Sequence, residues 1–368
     1  MSTPIKITNC VFAGDLHLRQ QAWNTRPELA GDSYESFIQI IEYCVQHNSS
    51  LILAGDIFNS INPDARSVEV LRRGLDTMAQ SALPVYVIQG QHDRANPPWP
   101  LALVDNPMVM YVADKLFVPI TCGPIFYAID QTPVAADLKA KLANVPDKVK
   151  VLVLHQLAKD VFPIEGAYDF DSEWVPKHVQ TLLMADYHKR CTFKWQGTKV
   201  GRYCGSTYMC KIDEEPDKSF YSLTINENGD LQTAVIPLRT RPYKFLVIND
   251  EAELTKCSES LAAIPKATGM LPVVVVTYVA TVPDVEVKLR AVLEKKAYLW
   301  LRPVTMRTVW TAEEGAVADV PRQRLTLENC VSKFLTPDSD EHKLLMALLA
   351  ADNPEEVLAI WRLNKRVA

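Results

Sequence analysis

The sequence predicts an α/β protein over its N-terminal part, with apolar strands joined by helices that cover a sheet on both faces. Three observations carry this prediction. Short apolar runs recur, and each closes on a glycine or a polar residue. Amphipathic segments separate the first of them. The closing residues are aspartates, histidines and amides, the groups that collect beyond the carboxyl ends of strands in such sheets.

The elements follow in order. IKITNCVFAGD (5–15) reads as a strand ending in Gly14-Asp15. SYESFIQIIEYCVQ (33–46) reads as a helix with Phe37, Ile40, Ile41 and Cys44 on one face. LILAGD (51–56) is a second buried strand ending in Gly-Asp, and SVEVLRRGLDTMAQ (67–80) a second helix. LPVYVIQG (83–90) is a third strand and KVKVLVLHQ (148–156) a later one. From 192 to 238 the signal changes to short β segments, with SFYSLTI and LQTAVIPL flanking the hairpin turn NENGD. After a break at RTRPYK (239–244), residues 243–311 read as a small α+β unit of three strands and two helices. Two tail helices follow, one through KLLMALLAA and one capped by Asn353-Pro354 with Val357, Leu358, Trp361 and Leu363 as its apolar side.

With 368 residues the chain is long enough for one large domain and one or two smaller units. No apolar run approaches the ~20 residues of a membrane span, and MSTPIKITNC lacks the pattern of a secretory signal. The eight cysteines form no CxxC pair, so neither a zinc ribbon nor a disulfide framework is indicated, and a reducing cytoplasm fits best. Cys10 and Cys44 read as small core residues. A net charge of −5 speaks against binding nucleic acid by bulk charge, but not against a local basic face or bound cations.

Five stretches end in potential metal ligands: GDLH (14–17), GDIFN (55–59), GQHD (90–93), LHQ (154–156) and ADYHK (185–189). Of seven histidines in the chain, four fall here: His17, His92, His155 and His188. Each stretch alone is a plain turn or a structural histidine. Together, on strand ends that share a rim, they place carboxylates and imidazoles at one site. Mixed Asp, His and amide donors suit Mn²⁺, Fe or Zn²⁺ better than an all-oxygen calcium site. A carboxylate such as Asp56 can bridge two ions ~3.5–4 Å apart.

The order GD-x-H, GD, G-N-H-D, H, G-H-x-H resembles the signature of calcineurin-like metallophosphoesterases. Within that class the chain looks like the SbcD-type DNA repair and recombination nucleases, phage recombination endonuclease subunits among them. GDLHL, GDIFNSINP and VLVLHQ resemble that branch's motifs, and YCGST (203–207) its short Gly-Ser segment. Motifs support the resemblance over residues 5–240, and layout alone supports it beyond.

The resemblance implies a sandwich of two mixed sheets flanked by helices (1–240), a small α+β capping domain (241–320) and a helical tail that docks a partner (321–368). It implies that Asp15, His17 and His188 hold one metal, that Asp56 bridges, and that Gln91, His155 and Asp186 face a second. His92 becomes the proton donor to the leaving oxygen, oriented by Asp93. The two divalent ions are expected to be Mn²⁺, with Mg²⁺, Fe or Zn²⁺ as alternatives. The implied partners are DNA, an SbcC-like ABC-type ATPase with a coiled coil, and a second copy of the chain. The expected setting is bacterial or phage-infected host cytoplasm. The chain has no GxxxxGK[ST], so an ATP-driven step must come from a partner.

Three positions depart from the family pattern: Gln91 replaces its asparagine, Asp186 the first histidine of its last pair, and Asn59 stands three after the bridging aspartate. The first two alter the second metal position, and both remain metal-ligating residue types. Between Tyr187 and Lys211 lie Lys189, Arg190, Lys194, Lys199 and Arg202, interleaved with Trp195, Tyr203 and Tyr208 and with no acidic residue. Cations with aromatics suit a phosphate backbone and unstacked bases. Asn59, Lys189, Arg190, Lys194 and Arg202 are thus candidate DNA contacts. The leading expectation is a metal-dependent DNA exo/endonuclease subunit. A metallophosphoesterase of small phosphodiesters and a catalytically weak DNA-binding subunit remain as alternatives.

Overall fold

The computed structural model describes residues 6–20, 30–94, 106–164, 166–262, 270–293 and 296–304. The expected tail helices, and the end of the last strand of the small unit, lie outside the described residues.

The N-terminal part is built on two six-stranded mixed sheets. The first contains β1 (Asn9–Ala13), β2 (Ser49–Ala54), β3 (Val85–Ile88), β4 (Val109–Tyr111), β11 (Ser219–Ile225) and β12 (Leu231–Pro237), in the order β12-β11-β1-β2-β3-β4. Strands β1 to β4 are parallel, and β11 and β12 add an antiparallel edge through the expected NENGD hairpin. The second contains β5 (Leu116–Phe117), β6 (Phe126–Ile129), β7 (Val151–His155), β8 (Thr181–Ala185), β9 (Cys191–Trp195) and β10 (Lys199–Tyr203), in the order β5-β6-β7-β8-β10-β9. Its strands β6, β7, β8 and β10 are parallel, with antiparallel strands at both edges.

The side-chain period of two explains how the layers stack. On β1, Cys10 and Phe12 enter the core between the sheets, while Val11 and Ala13 face the helices. On β2, Ile52 and Ala54 point inward, and Leu51 and Leu53 outward. Strands β7 and β8 mirror this, with Val151, Val153, Leu183 and Ala185 in the inter-sheet core and Leu152, Leu154, Leu182 and Met184 on the outer side. Both faces of β1, β2, β7 and β8 are covered, so these runs are apolar throughout rather than alternating.

Helices α1 (Asp32–Gln46) and α2 (Ala65–Gln80) cover the first sheet through Phe37, Ile40, Ile41, Cys44, Leu71 and Leu75. Asp64 caps α2, accepting from the Ser67 N–H at 2.9 Å. Helix α3 (Ala135–Ala143) covers the second sheet with Leu138 and Leu142. Two sheets, rather than one sheet wrapped on both faces, account for the length of chain between β3 and β7. The strands there are only two to four residues long, too short to leave a periodic trace.

Past the second sheet, β13 (Tyr243–Ile248), β14 (Val273–Val279) and β15 (Tyr298–Val304) form a three-stranded sheet with helices α4 (Glu251–Ala262) and α5 (Val285–Leu293). Arg241, just before β13, is buried against Asp32 at the start of α1, with two contacts from its guanidinium to Asp32 Oδ1 at 3.0 and 2.5 Å.

Candidate metal centre

The predicted side chains sit at the carboxyl ends of five strands, three from the first sheet and two from the second. β1 runs into Gly14-Asp15, β2 into Gly55-Asp56 and β3 into Gly90 and a single 3-10 turn, Gln91–Asp93. β7 ends on His155, and β8 is followed directly by Asp186. Parallel strands in each sheet make these ends coincide, and the packing of the two sheets brings both rims together.

The backbone here is strained. Asp15, His17, Asp56 and Asp186 adopt positive φ of 50°, 40°, 47° and 90°. Non-glycine residues hold such angles only where their surroundings impose them. The Asp15 N–H donates to the Gly55 carbonyl at 3.1 Å and the His17 N–H to that of Asp56 at 2.9 Å, which ties the first two turns together. Two glycines allow the close approach. A Cβ on Gly55 would meet His155 Nδ1 at 2.4 Å, and one on Gly90 would meet Asp56 Oδ1 at 2.1 Å.

Asp15, Asp56 and His155 are wholly buried, and His17 nearly so. Asp56 Oδ1 accepts from the His92 N–H at 2.9 Å. Its other oxygen, Oδ2, has no hydrogen-bond partner, and neither does His155 Nε2. Three imidazoles face Oδ2: His155 Nε2 at 3.5 Å, His17 Nε2 at 3.7 Å and His92 Nε2 at 3.8 Å. His155 Nδ1 lies 2.7 Å from the Ala54 carbonyl, which can only accept, so Nδ1 carries the proton and Nε2 of the neutral ring offers a lone pair to the centre. His188 repeats this arrangement: Nδ1 donates to Glu214 Oε1 at 2.8 Å, and Nε2 lies 3.0 Å from His17 Nε2. Asp56 Oδ2 and His155 Nε2 thus lie buried side by side without a hydrogen-bond partner, and the other imidazoles converge on the same point.

Burial and charge act in opposition here. Burial lowers His17 to about 3, although the Asp56 carboxylate pulls it upward. Burial opposes the charged form of His155 too, but the Asp56 and Asp15 carboxylates prevail and raise it to about 10. Asp15 rises to about 6, chiefly through burial. Buried carboxylates and imidazoles crowd one point with Asp56 Oδ2 and His155 Nε2 unpartnered, a situation that a divalent cation relieves. The donors fit such ions. Asp15, Asp56 and His155 form one candidate ligand group, His17, Asp56 and His92 a second, and His17, His188 and Cys210 a third. Asp56 and His17 each belong to two of the three.

The altered pair meets. Gln91 Nε2 donates to Asp186 Oδ1 at 2.8 Å, and the same oxygen lies 3.8 Å from His155 Nε2. The Asp186 N–H in turn donates to Asp15 Oδ2 at 3.0 Å. Asp93 differs from its expected role. Its buried carboxyl group accepts instead from the N–H groups of Ile57, Phe58 and Gly90, at 3.0 to 3.2 Å. It braces the turn, because three converging amides outcompete a half-exposed imidazole for a buried anion.

A cavity of about 640 Å³ opens over the centre, lined by His17, Asn59, Gln91, His92, Asp186 and His188, with Arg19, Tyr187, Cys210, Lys211, Asp213 and Glu214 on the remaining wall. Asn59 therefore lies at the site, whereas Lys189, Arg190, Lys194 and Arg202 do not line the cavity. Lys189 pairs with Glu215 at 2.5 Å, and Arg190 donates to Ser219 Oγ at 2.9 Å. The interleaved aromatics do not form a stacking platform. Trp195, Tyr203 and Tyr208 are buried, the first two in the outer core of the second sheet. Alternation along a strand puts Lys194 outside and Trp195 inside, so neighbours in sequence are not neighbours on a surface.

Sequence reasoning did not single out Glu214, which lies in the run DEEPDK. It bonds His188, and burial, which would raise its pKa, is outweighed by His188 and Lys218, which hold it down at about 2. The Gly-Ser segment is placed as support: the Ser206 N–H donates to the His188 carbonyl at 3.1 Å.

No family model matches the chain. It is 27% identical over 218 residues to the DNA double-strand break repair protein Mre11 of Sulfurisphaera tokodaii, covering 56% of each chain. It is 25% identical over 248 residues to that of Sulfolobus acidocaldarius, covering 64% of this chain and 65% of the relative. With that of Methanosarcina acetivorans it shares 26% over 289 residues, 71% of this chain and 44% of the relative. The chain thus spans little more than half the length of the first of these relatives. Among solved structures, a dimetal phosphatase from Danio rerio aligns over 64% of this chain and 98% of its own, at 12% identity and a TM-score of 0.44.

Proposed function

We propose that this chain, a metallophosphoesterase-type protein of the Mre11-like group, is a nuclease subunit that hydrolyses phosphodiester bonds of DNA with two divalent cations. The observation that carries this reading is the unsatisfied Asp56 Oδ2, with three imidazole Nε2 atoms within 3.5 to 3.8 Å of it. Asp15, His17 and His188 would hold one cation, His155, Asp186 and Gln91 would face a second, and Asp56 would serve both. Such ions, Mn²⁺ in this reading, would supply charge for the phosphoryl oxygens and a nucleophile near neutral pH.

The chain's own groups do the rest. His92 is half exposed at the cavity, with its backbone N–H pinned to Asp56. It is placed to protonate the leaving oxygen, where an imidazole contributes typically 10²–10⁴-fold. Asp93 fixes the turn that carries His92. Asn59, Arg19 and Lys211 on the wall receive the phosphates, and Lys189, Arg190, Lys194 and Arg202 contact DNA farther from the centre. In this reading residues 1–240 form the nuclease domain, 241–320 cap it, and 321–368 dock an SbcC-like coiled-coil ATPase. A second copy of the chain completes the assembly in the cytoplasm. No described helix is long and apolar enough to cross a membrane.

A second reading, a catalytically weak DNA-binding subunit, draws on the Gln91–Asp186 hydrogen bond, which engages two of the second cation's residues with each other. One assay separates the two. Purified protein is incubated with Mn²⁺ and a short duplex beside a His92→Ala control. Cleavage that the control lacks supports the nuclease. DNA binding without hydrolysis in any metal supports the second reading, and cleavage only of a nitrophenyl diester points to small phosphodiesters. Undiminished cleavage by the His92→Ala protein removes His92 from the mechanism.

A further inference from the structure

The third candidate ligand group departs from the residues that the motifs single out. Cys210 brings its thiol to His17 and His188, and the three ligand atoms all lie within 4.8 Å of one another. The residue is held firmly. Its N–H donates to Glu214 Oε2 at 3.0 Å, and its carbonyl accepts from Arg19 Nη2 at 2.9 Å. Glu214 uses its other oxygen to orient His188 through Nδ1, at 2.8 Å. One carboxylate therefore sets both an imidazole and the residue that carries the thiol. Buried Lys218 completes the brace, donating to Glu214 Oε2 at 2.8 Å.

The two imidazoles meet at the same point. His17 is 4% exposed, and its Nε2 is in hydrogen-bond contact with His188 Nε2 at 3.0 Å, while His188 Nδ1 is committed to Glu214. With the thiol beside them, the two ring nitrogens form a donor set of the N/S type.

We propose that Cys210 supplies a thiolate to the cation held by His17 and His188. This rests on the metal reading above and deepens it. On coordination the S–H bond gives way to a sulfur–metal bond, and the proton passes to solvent. A thiolate makes this position softer than a carboxylate–imidazole set, so it favours Zn²⁺ or Fe over Mg²⁺. It also exposes the site to oxidants, because a metal-bound thiolate bordering a cavity can be oxidised where a buried thiol is inert.

The test uses Co²⁺ as the probe on the full chain stripped of metal. The wild type should give visible d–d bands and a near-ultraviolet thiolate-to-Co²⁺ charge-transfer band. Cys210→Ser should lose the charge-transfer band, and Cys204→Ala, a substitution at the buried cysteine near Gly14, should keep it. Loss of all Co²⁺ bands in Cys210→Ser with unchanged circular dichroism also supports ligation. Wild-type d–d bands without charge transfer overturn the thiolate and leave the metal site standing. A charge-transfer band that survives Cys210→Ser, or vanishes with Cys204→Ala, overturns the assignment. No Co²⁺ bands at all in the wild type overturn the underlying metal reading as well.

Discussion

Gln91 Nε2 donates a hydrogen bond to Asp186 Oδ1 at 2.8 Å, joining the turn after β3 in one sheet to the end of β8 in the other. These are two of the three positions at which the motifs depart from the family pattern, and the two that bear on the second metal position. The glutamine amide spans the gap between the two turns, and the aspartate presents a carboxylate acceptor to it. The two departures therefore act as one unit. Gln91→Ala, Asp186→Ala and the double variant should affect Mn²⁺ affinity non-additively, with a coupling of ~0.5–3 kcal/mol. Calorimetric titration measures it, and additivity within ~0.3–0.5 kcal/mol would show the contact to be incidental.

Arg241 and Asp32 form an almost fully buried ion pair, with side chains 2% and 4% exposed. Removing one partner leaves the other charge unpaired away from water. Arg241→Ala should cost about 3–5 kcal/mol in denaturant unfolding. Adding Asp32→Ala to it should recover part of that loss, because the stranded carboxylate is gone. A loss below about 1 kcal/mol for the single variant would mean that water reaches the site, as at an exposed pair.

Asp64 caps α2 and accepts from Ser67 N–H, Ser67 Oγ and Gln20 N–H. Burial works against the charged form, but these donors prevail and hold its pKa below the ordinary 3.8. A depressed carboxylate stabilises the fold above its unfolded pKa, and the contribution disappears as pH falls through the folded value. Asp64→Ala should therefore cost ~1 kcal/mol at neutral pH. The difference from wild type should shrink as pH drops below about 4. Paired thermal melts across pH 2 to 7 measure it, and a pH-independent difference counts against the charged cap.

Lys211 lines the cavity, whereas Trp195, Tyr203 and Tyr208 are inside the protein. Lys211→Ala should weaken DNA binding and lower the slope of log K against log salt by about 0.9 per lost phosphate contact on duplex DNA. Trp195→Phe should leave binding unchanged and register only in stability. Fluorescence anisotropy at several salt concentrations separates the two, and the reverse outcome would restore the aromatics as base contacts.

Much of the centre was legible because its signals are local. Gly-Asp closing an apolar run marks a strand end at Asp15 and Asp56, and a histidine ending or following such a run marks His155, His92 and His188. The helices over Phe37–Cys44 and Val70–Met78 were legible for the same reason, a period of 3.6 with apolar residues on one side. The short strands β4 to β6 were not, because runs of two to four residues carry no period. Asp93 was placed at the centre but given the wrong neighbour. Which atoms a buried carboxylate meets depends on the amides of Ile57 and Phe58, more than 30 positions away.

The sequence by itself determined which side chains end each strand and their donor chemistry, since a strand and its closing turn are specified by a handful of adjacent residues. Only the tertiary structure decided the register and order in which the two sheets bring these ends to a common rim, that Glu214 stands behind His188 with Cys210 beside it, and that Trp195, Tyr203 and Tyr208 face the core. Those outcomes depend on how layers pack and on which face of a strand is covered. Packing joins residues far apart in the chain, and no short stretch of sequence encodes it.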